Sequence, residues 1–115
     1  LPATEIYGKT KGDLLLLGWG STYGSNKSAV EELLARGYKV AQAHIKHINP
    51  LPNDLESILR NYKHVMLPEL NSGQLNMILR AKFLIDIKAV NQINTKPFNQ
   101  SDLVRIAEEI IEGKR

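Results

Sequence analysis

The feature that most constrains the fold is a run of four leucines at residues 14–17, followed directly by a glycine-rich segment. A short apolar run bounded by turn residues is typical of a strand that is covered on both faces. After the glycines, Val30, Leu33 and Leu34 recur at helical spacing, and Gly37 is placed to end that helix. This order of strand, open loop and helix predicts an α/β unit. Its loop lies where such sheets usually bind ligands.

The glycine-rich loop does not match the dinucleotide-binding fingerprint. That fingerprint requires a third glycine, but Tyr23 occupies the position, and it requires an acidic residue about 20 positions further on. The next predicted strand ends instead in the basic and polar residues 46–49. A nicotinamide cofactor is therefore not expected.

Composition restricts the remaining classes of function. The 115 residues suit a single domain, 1–115, and 43% hydrophobic with 23% charged residues is ordinary for a soluble globular protein. No apolar run approaches the roughly 20 residues of a membrane span, no signal peptide is visible, and cysteine is absent. The net charge of +3 is scattered and forms no basic stripe of the kind that binds nucleic acid. We expect a cytoplasmic protein without membrane or nucleic-acid partners and, because it begins at Leu1, a fragment of a longer subunit.

Alternating strand and helix signals predict a single α/β layered domain with helices on both sides of the sheet. Residues 5–7 are predicted to form a short strand that turns through residues 8–12 into an antiparallel hairpin with residues 14–18. Further strands are predicted at residues 39–48, 64–68 and 84–90. The mixed polarity of residues 84–90 indicates an edge strand.

Three helix starts carry residues that can cap free backbone amides. Asn53 precedes apolar residues at helical spacing up to Tyr62. Two further pairs, Asn71–Gln74 and Asn99–Asp102, have the spacing of a capping box. Each pair predicts where a helix begins.

Candidate chemical residues are few. His44 and His47 are three positions apart, which on a strand directs them to opposite faces, so we do not expect a metal site. Glu69, at the end of a predicted strand, could be a general base or a cofactor partner. No second catalytic group lies near it in sequence, which favours a structural role in which its carboxylate binds backbone amides of neighbouring loops.

The hydroxyl residues Ser21, Thr22 and Ser25 surround the start of the first predicted helix. They can prepare a site for a phosphate or carboxylate, or they can simply cap the helix, and the sequence leaves both alternatives open. Trp19 can be a core residue or an anchor in an interface, and we favour the interface slightly.

Three segments together resemble a known family: residues 13–24, 44–52 and 67–75. Their order and spacing are similar to the C-terminal region of the alpha subunit of 2-oxoacid:ferredoxin oxidoreductases. The resemblance extends from about Glu5 to the last helix. It implies a transketolase C-terminal-like domain, a three-layer α/β/α sandwich on a five-stranded mixed sheet whose first strand is antiparallel.

The resemblance also implies a role. Members of that family oxidatively decarboxylate a 2-oxoacid to an acyl-CoA and reduce ferredoxin, with thiamine diphosphate, Mg²⁺ and iron–sulfur clusters held by other parts of the complex. This chain has no Gly-Asp-Gly metal motif and no cysteine. No catalytic, cofactor-binding or metal-binding residue is expected on it, and the isolated chain should be inactive. Its implied partners are the other domains of its own subunit and the beta subunit, with ferredoxin, CoA and the 2-oxoacid as partners of the whole complex.

Residues that match the loops of the family at the carboxyl edge of the sheet are the candidates for contact with other domains or subunits. They are Gly18, Trp19, Gly20, Ser21, Thr22 and Gly24 in the first loop, Asn49, Pro50, Leu51 and Pro52 in the second, and Glu69, Asn71, Gly73 and Gln74 in the third.

Two alternatives remain. The segment 21–26 is somewhat similar to the phosphate loop of a flavodoxin, which would make the chain an FMN-dependent electron carrier. The other alternative is the equivalent domain of transketolase or of the beta subunit of pyruvate dehydrogenase.

Overall fold

The computed structural model describes residues 3–48, 50–69, 74–91 and 98–115. The strands are β1 (Ile6–Gly8), β2 (Gly12–Trp19), β3 (Val40–Ile45), β4 (Tyr62–Glu69) and β5 (Ile87–Asn91). The α-helices are α1 (Tyr23–Ala35), α2 (Leu55–Leu59), α3 (Gln74–Phe83) and α4 (Gln100–Ile111), and a 3₁₀ turn, Gly20–Thr22, joins β2 to α1. Within the described ranges no helix has both the length and the apolar character needed to cross a membrane.

The five strands form one mixed sheet in the order β1-β3-β2-β4-β5. Strand β1 is antiparallel to β3, whereas β3, β2, β4 and β5 run parallel to one another. The predicted fold class is confirmed, including the antiparallel first strand. Strand β5 pairs only with β4 in this sheet, which agrees with its predicted edge position.

The leucine run of β2 joins the two helical layers. Leu15 and Leu17 face a core formed with α2 and α3, while Leu14 and Leu16 face a second core formed with α1 and α4. All four side chains are completely buried. Because successive side chains on a strand point to opposite faces, a continuous apolar run is what a central strand between two helical layers requires.

The predicted hairpin between the first two strands is wrong. Strand β1 pairs with β3, in a register that places Tyr7 opposite Gln42. Strand β2 cannot accept it, because both of its edges are already hydrogen-bonded to β3 and β4. The connection after β1 instead passes close to the start of β3, where a side chain on Gly8 would lie 2.6 Å from the carbonyl oxygen of Val40.

Two strand boundaries differ from the predictions by three residues, and the others by one or two. The second long strand ends at Ile45, three residues earlier than predicted, and the last one begins at Ile87 rather than at residue 84. Leu84 directly follows α3, since its N–H donates to the carbonyl of Arg80, and its φ of 57° is incompatible with a strand.

Helix α2 is shorter than its apolar pattern predicts. It ends at Leu59, and Tyr62 already belongs to β4. The predicted cap is also wrong, because Asp54, not Asn53, precedes the helix, and no side chain caps it. The carboxylate of Asp54 accepts hydrogen bonds from the N–H (2.8 Å) and hydroxyl (2.7 Å) of Thr4, which lower the pKa of Asp54 and join the start of α2 to the N-terminal segment.

Candidate functional site

The parallel strands β2, β3 and β4 end side by side at one edge of the sheet, and Trp19 pairs with Ile45 there. We call this edge the rim and define it by the described candidate residues: Gly18, Trp19, Gly20, Ser21, Thr22, Gly24, Pro50, Leu51, Pro52, Glu69 and Gln74. The remaining candidates, Asn49, Asn71 and Gly73, lie outside the described residues, as does half of the predicted Asn71–Gln74 capping box. The strand directions therefore bring the three predicted loops to a common edge.

Glu69 is the best-connected polar residue of the rim. Its side chain is 4% exposed, and its Oε1 accepts hydrogen bonds from the backbone N–H of Leu75 (3.1 Å) and the indole N–H of Trp19 (3.3 Å). Its Oε2 accepts the N–H of Asn76 at 3.3 Å. The carboxylate thus joins the end of β2 to the first turn of α3. The sequence favoured a structural role for Glu69 over that of a general base. In the structure, backbone amides do donate hydrogen bonds to its carboxylate.

The hydroxyls of the first loop do not cap α1, so that alternative is wrong. Thr22 donates its hydroxyl to the carbonyl of Trp19 (3.2 Å), and Ser25 donates to the carbonyl of Thr22 (3.2 Å). Thr22 is the residue before the helix, and it makes no side-chain hydrogen bond to a helix amide. The hydroxyls therefore tighten the turn between strand and helix.

Gly18 is required by close packing at the end of β2. A Cβ atom at this position would lie 2.5 Å from Nδ2 of Asn26 and 2.8 Å from Oγ1 of Thr22. Asn26 is fully buried on α1, and neither of its side-chain amide atoms has a hydrogen-bond partner among the described residues. A polar side chain thus occupies the space beneath the loop that a larger residue at position 18 would need.

The surface of the rim has a small notch of about 140 Å³. It is lined by residues of the two segments that Glu69 joins, including Trp19, Ser21 and Gln74. Ser21 and Gln74 are exposed, whereas Trp19 is half-buried and packs against the core. In the second loop Pro50 is exposed and Leu51 is buried in the core. The rim therefore presents polar side chains on a well-packed base.

The histidines do not form a metal site in the part of the chain that the structure describes, where no group of three His, Asp or Glu residues is placed to hold an ion. His44 lies on β3 in edge-to-face contact with the ring of Tyr23, at 5.2 Å between centroids. Burial lowers the pKa of His44, and Lys46 adds to the effect. Burial likewise lowers the pKa of His64, with Lys63 and Lys88 contributing.

Two buried polar residues were not predicted from the sequence. They are Asn26, described above, and Gln42, which is 2% exposed in the middle of β3. The amide nitrogen of Gln42 donates to the carbonyl of Tyr23 at 2.9 Å. The sequence did contain a signal for Gln42, because it is a polar residue among the apolar residues at the start of a predicted strand. A polar residue that is buried there needs a hydrogen-bond partner.

Comparison with known proteins identifies relatives of this domain. The family model described as pyruvate:ferredoxin oxidoreductase core domain II matches residues 12–110. Subunit KorA of the 2-oxoglutarate oxidoreductase from Mycobacterium tuberculosis is 40% identical over 102 residues, which are 89% of this chain and 16% of that protein.

Solved structures agree with this result. A 2-oxoglutarate:ferredoxin oxidoreductase from Magnetococcus marinus, solved with 2-oxoglutarate, coenzyme A and succinyl-CoA, matches with a TM-score of 0.89 and 30% identity over 96% of this chain and 20% of its own. A split-gene transketolase matches with a TM-score of 0.72 over 96% of this chain and 42% of its own; at 16% identity it shows the common fold alone.

The chain spans only 16% and 20% of the length of the two 2-oxoglutarate oxidoreductase relatives. The resemblance to the alpha subunit of 2-oxoacid:ferredoxin oxidoreductases is confirmed, as is the transketolase-like fold. Since the family model covers most of the sequence, the chain belongs to the family of pyruvate:ferredoxin oxidoreductase core domain II.

Proposed function

We propose that this domain supports the active site of a thiamine-diphosphate-dependent 2-oxoacid:ferredoxin oxidoreductase and docks through its rim onto neighbouring parts of the enzyme. These neighbours are the other domains of its subunit and the beta subunit. The relatives support such a role, because one is a subunit of a 2-oxoglutarate oxidoreductase and another is a 2-oxoglutarate:ferredoxin oxidoreductase. Family membership also favours this role over an FMN-dependent electron carrier.

The observation that carries the proposal is the Glu69 connection. One buried carboxylate binds the end of β2 and the first turn of α3, so that two of the rim segments are held in a fixed relation before any partner arrives. Exposed Ser21 and Gln74 flank this connection. A preorganised surface binds with a smaller entropic cost than one that must be ordered on association.

The residues of the described chain do not fit the cofactors of the reaction. Glu69, the buried carboxylate of the rim, already accepts hydrogen bonds from three donors, and the described residues include no group of three His, Asp or Glu placed to hold a metal ion. No cysteine is available to ligate an iron–sulfur cluster. Thiamine diphosphate, Mg²⁺ and iron–sulfur clusters are accordingly assigned to other domains. The 2-oxoacid, CoA and ferredoxin would be used by the assembled, cytoplasmic enzyme, and the isolated chain would be inactive.

The test places a bulky charge on the rim without disturbing the core. Gln74→Arg in the complete subunit is expected to reduce co-purification of the beta subunit by about tenfold, as an unfavourable group at an interface does. The matched control is Asn61→Arg, an exposed amide residue at the opposite edge of the sheet, before β4. It should assemble as the unmodified subunit does.

Thermal unfolding of both variant domains shows whether the fold is retained. Full assembly of a folded Gln74→Arg subunit would contradict docking through the rim, as would equal losses in both variants. Measurable turnover of a 2-oxoacid by the isolated 115-residue chain would contradict the assignment of the chemistry to other domains.

A further inference from the structure

A larger cavity of about 640 Å³ lies beside edge strand β1, on the side of the sheet that carries α1. Side chains of β3 form its base, namely Gln42 and His44, and its sides include Tyr7 of β1 with Tyr23 and Lys27 of α1. We call it the β1 cleft. It includes Pro50 and Pro52 of the second rim loop but shares no lining residue with the notch beside Glu69.

The β1 cleft follows from the strand order. Strand β1 extends the sheet beyond β3, and its pairing places Tyr7 next to Gln42 on one face. Helix α1 packs mainly over β2 and β3. The face of the sheet near β1 is thus left open between the helix and the edge strand.

The charges of the cleft are mostly positive. Lys27 and Lys46 supply the positive charge, and Glu5 is the single acidic residue among the described lining residues. In the described part of the chain the ion-paired lysines are Lys88 and Lys114, so the two cleft lysines have no carboxylate partner there. The Nζ of Lys27 lies 5.0 Å from the centre of the Tyr7 ring, a distance at which a cation is attracted to the ring.

Two residues that line the cleft also carry buried polar atoms without partners. Gln42 is 2% exposed and uses its amide nitrogen on the carbonyl of Tyr23, but its Oε1 receives no hydrogen bond from the described residues. Nδ1 of His44 is also buried and unpartnered in the described structure, and it lies on the side of the ring that faces Gly18. Buried polar groups without protein partners are commonly satisfied by an ordered water, so it is the walls and charges of the cleft that indicate a ligand.

We propose that the β1 cleft binds a nucleoside phosphate, with its phosphate near Lys27 and Lys46 and its base against the tyrosine rings. The volume lies in the range of pockets for whole small molecules, and aromatic walls with a few polar groups are typical of such pockets. Unpaired lysines supply the positive charge that a phosphate requires, and tyrosine faces stack on bases. The cleft shares Pro50 and Pro52 with the rim, but ligand binding to the isolated chain is measured separately from docking.

Calorimetric titration of the 115-residue chain with ADP tests the proposal. Binding with a sub-millimolar dissociation constant is expected, while adenosine and pyrophosphate, which each lack one half of the ligand, should bind at least about tenfold more weakly. Lys27→Gln and Lys46→Gln should each weaken ADP binding by about fivefold to tenfold. Lys63→Gln is the matched control, because Lys63 is exposed on β4 and does not line the cleft.

Nuclear magnetic resonance of His44 gives an independent measurement. A phosphate beside the ring should raise the pKa of this imidazole, and the His64 imidazole should remain unchanged. Tyr23→Ala should weaken ADP but not pyrophosphate, since only ADP has a base to stack.

Absence of ADP binding at millimolar concentration would overturn the proposal. It would also be overturned if pyrophosphate bound as tightly as ADP, or if Lys63→Gln weakened binding as much as the cleft variants. The lysine side chains make no ion pair in the described structure, and Lys27→Gln loses only the contact with the Tyr7 ring, so the melting temperature should fall only slightly and the binding data should be interpretable. None of these outcomes bears on assembly through the rim, which is measured with the partner subunit.

Discussion

Helices α3 and α4 begin in different ways. At the start of α4 the side chain of Asn99 accepts a hydrogen bond from the N–H of Asp102 (2.8 Å), a contact between residues three apart. At the start of α3 the N–H groups of Leu75 and Asn76 donate to Glu69, which belongs to β4 and also binds Trp19, 50 residues away. One helix start is stabilised locally, the other by the tertiary structure.

The difference indicates what each device can do. A local cap stabilises its own helix and leaves its neighbours independent. The carboxylate of Glu69 stabilises α3 and at the same time fixes its position relative to the loop after β2. The tertiary device lies at the rim, where the proposed docking surface needs its segments in a fixed relation.

The largest effect is expected at Glu69. Glu69→Ala removes the acceptor for two backbone amides, one of them buried, and for the Trp19 indole. Unsatisfied buried donors are costly, so the free energy of unfolding should fall by about 3 kcal/mol in chemical denaturation. The melting temperature should fall by more than about 10 °C.

The matched control for Glu69 is an exposed glutamate on a helix. Glu56 pairs with Arg60 at 3.0 Å, and both side chains are about half exposed. Glu56→Ala should cost no more than about 0.5 kcal/mol. Similar losses in the two variants would show that the buried connection has no special role and would remove the contrast between the helix starts.

The next effect concerns α1, which has neither kind of cap. Gly18→Ala places a methyl group against Asn26 and Thr22, which should lower the free energy of unfolding by about 2 kcal/mol. Gly24→Ala is the control, because Gly24 lies in α1 with open space around the position of a Cβ. Alanine favours a helix over glycine, so this variant should gain about 0.5 kcal/mol.

If the free energy of unfolding falls in Gly18→Ala and rises in Gly24→Ala, tight packing and not the turn conformation holds the first loop at the rim. A Gly18→Ala variant as stable as the unmodified chain would mean that Asn26 moves aside freely. The buried base of the rim would then be adaptable rather than fixed.

The sequence predicted features whose partners are close in the chain or whose pattern is periodic. The leucines of β2 and the Asn99 cap of α4 are confirmed, because alternation on a strand and a three-residue spacing are local properties. The structural role of Glu69 was favoured because the sequence offered no second catalytic group. Its contact with Trp19 was not predicted, since it depends on which strands lie side by side.

The hairpin prediction was wrong because strand pairing is determined by the tertiary structure and not by the local sequence. A five-residue connection after β1 favours a hairpin, yet β1 pairs with β3, because β2 is already occupied on both edges. The β1 cleft exists only through that pairing, so no inspection of the local sequence could have found it. Helix capping by the hydroxyls of the first loop, one of the two alternatives that the sequence left open, also rested on residue type, whereas Thr22 and Ser25 donate to carbonyl groups.

The smallest effect is expected at the local cap. Asn99→Ala removes the acceptor for the Asp102 N–H and should lower the free energy of unfolding by about 1 kcal/mol, the usual value for a lost helix cap. Asn99→Asp keeps an acceptor at the same position and should retain most of that stability. Because the bond is exposed and joins residues of one helix start, amide hydrogen exchange should increase in the first turn of α4 only. Faster exchange in α3 as well, or a loss equal to that of Glu69→Ala, would show that the two helix starts are coupled and that the local cap contributes to the rim.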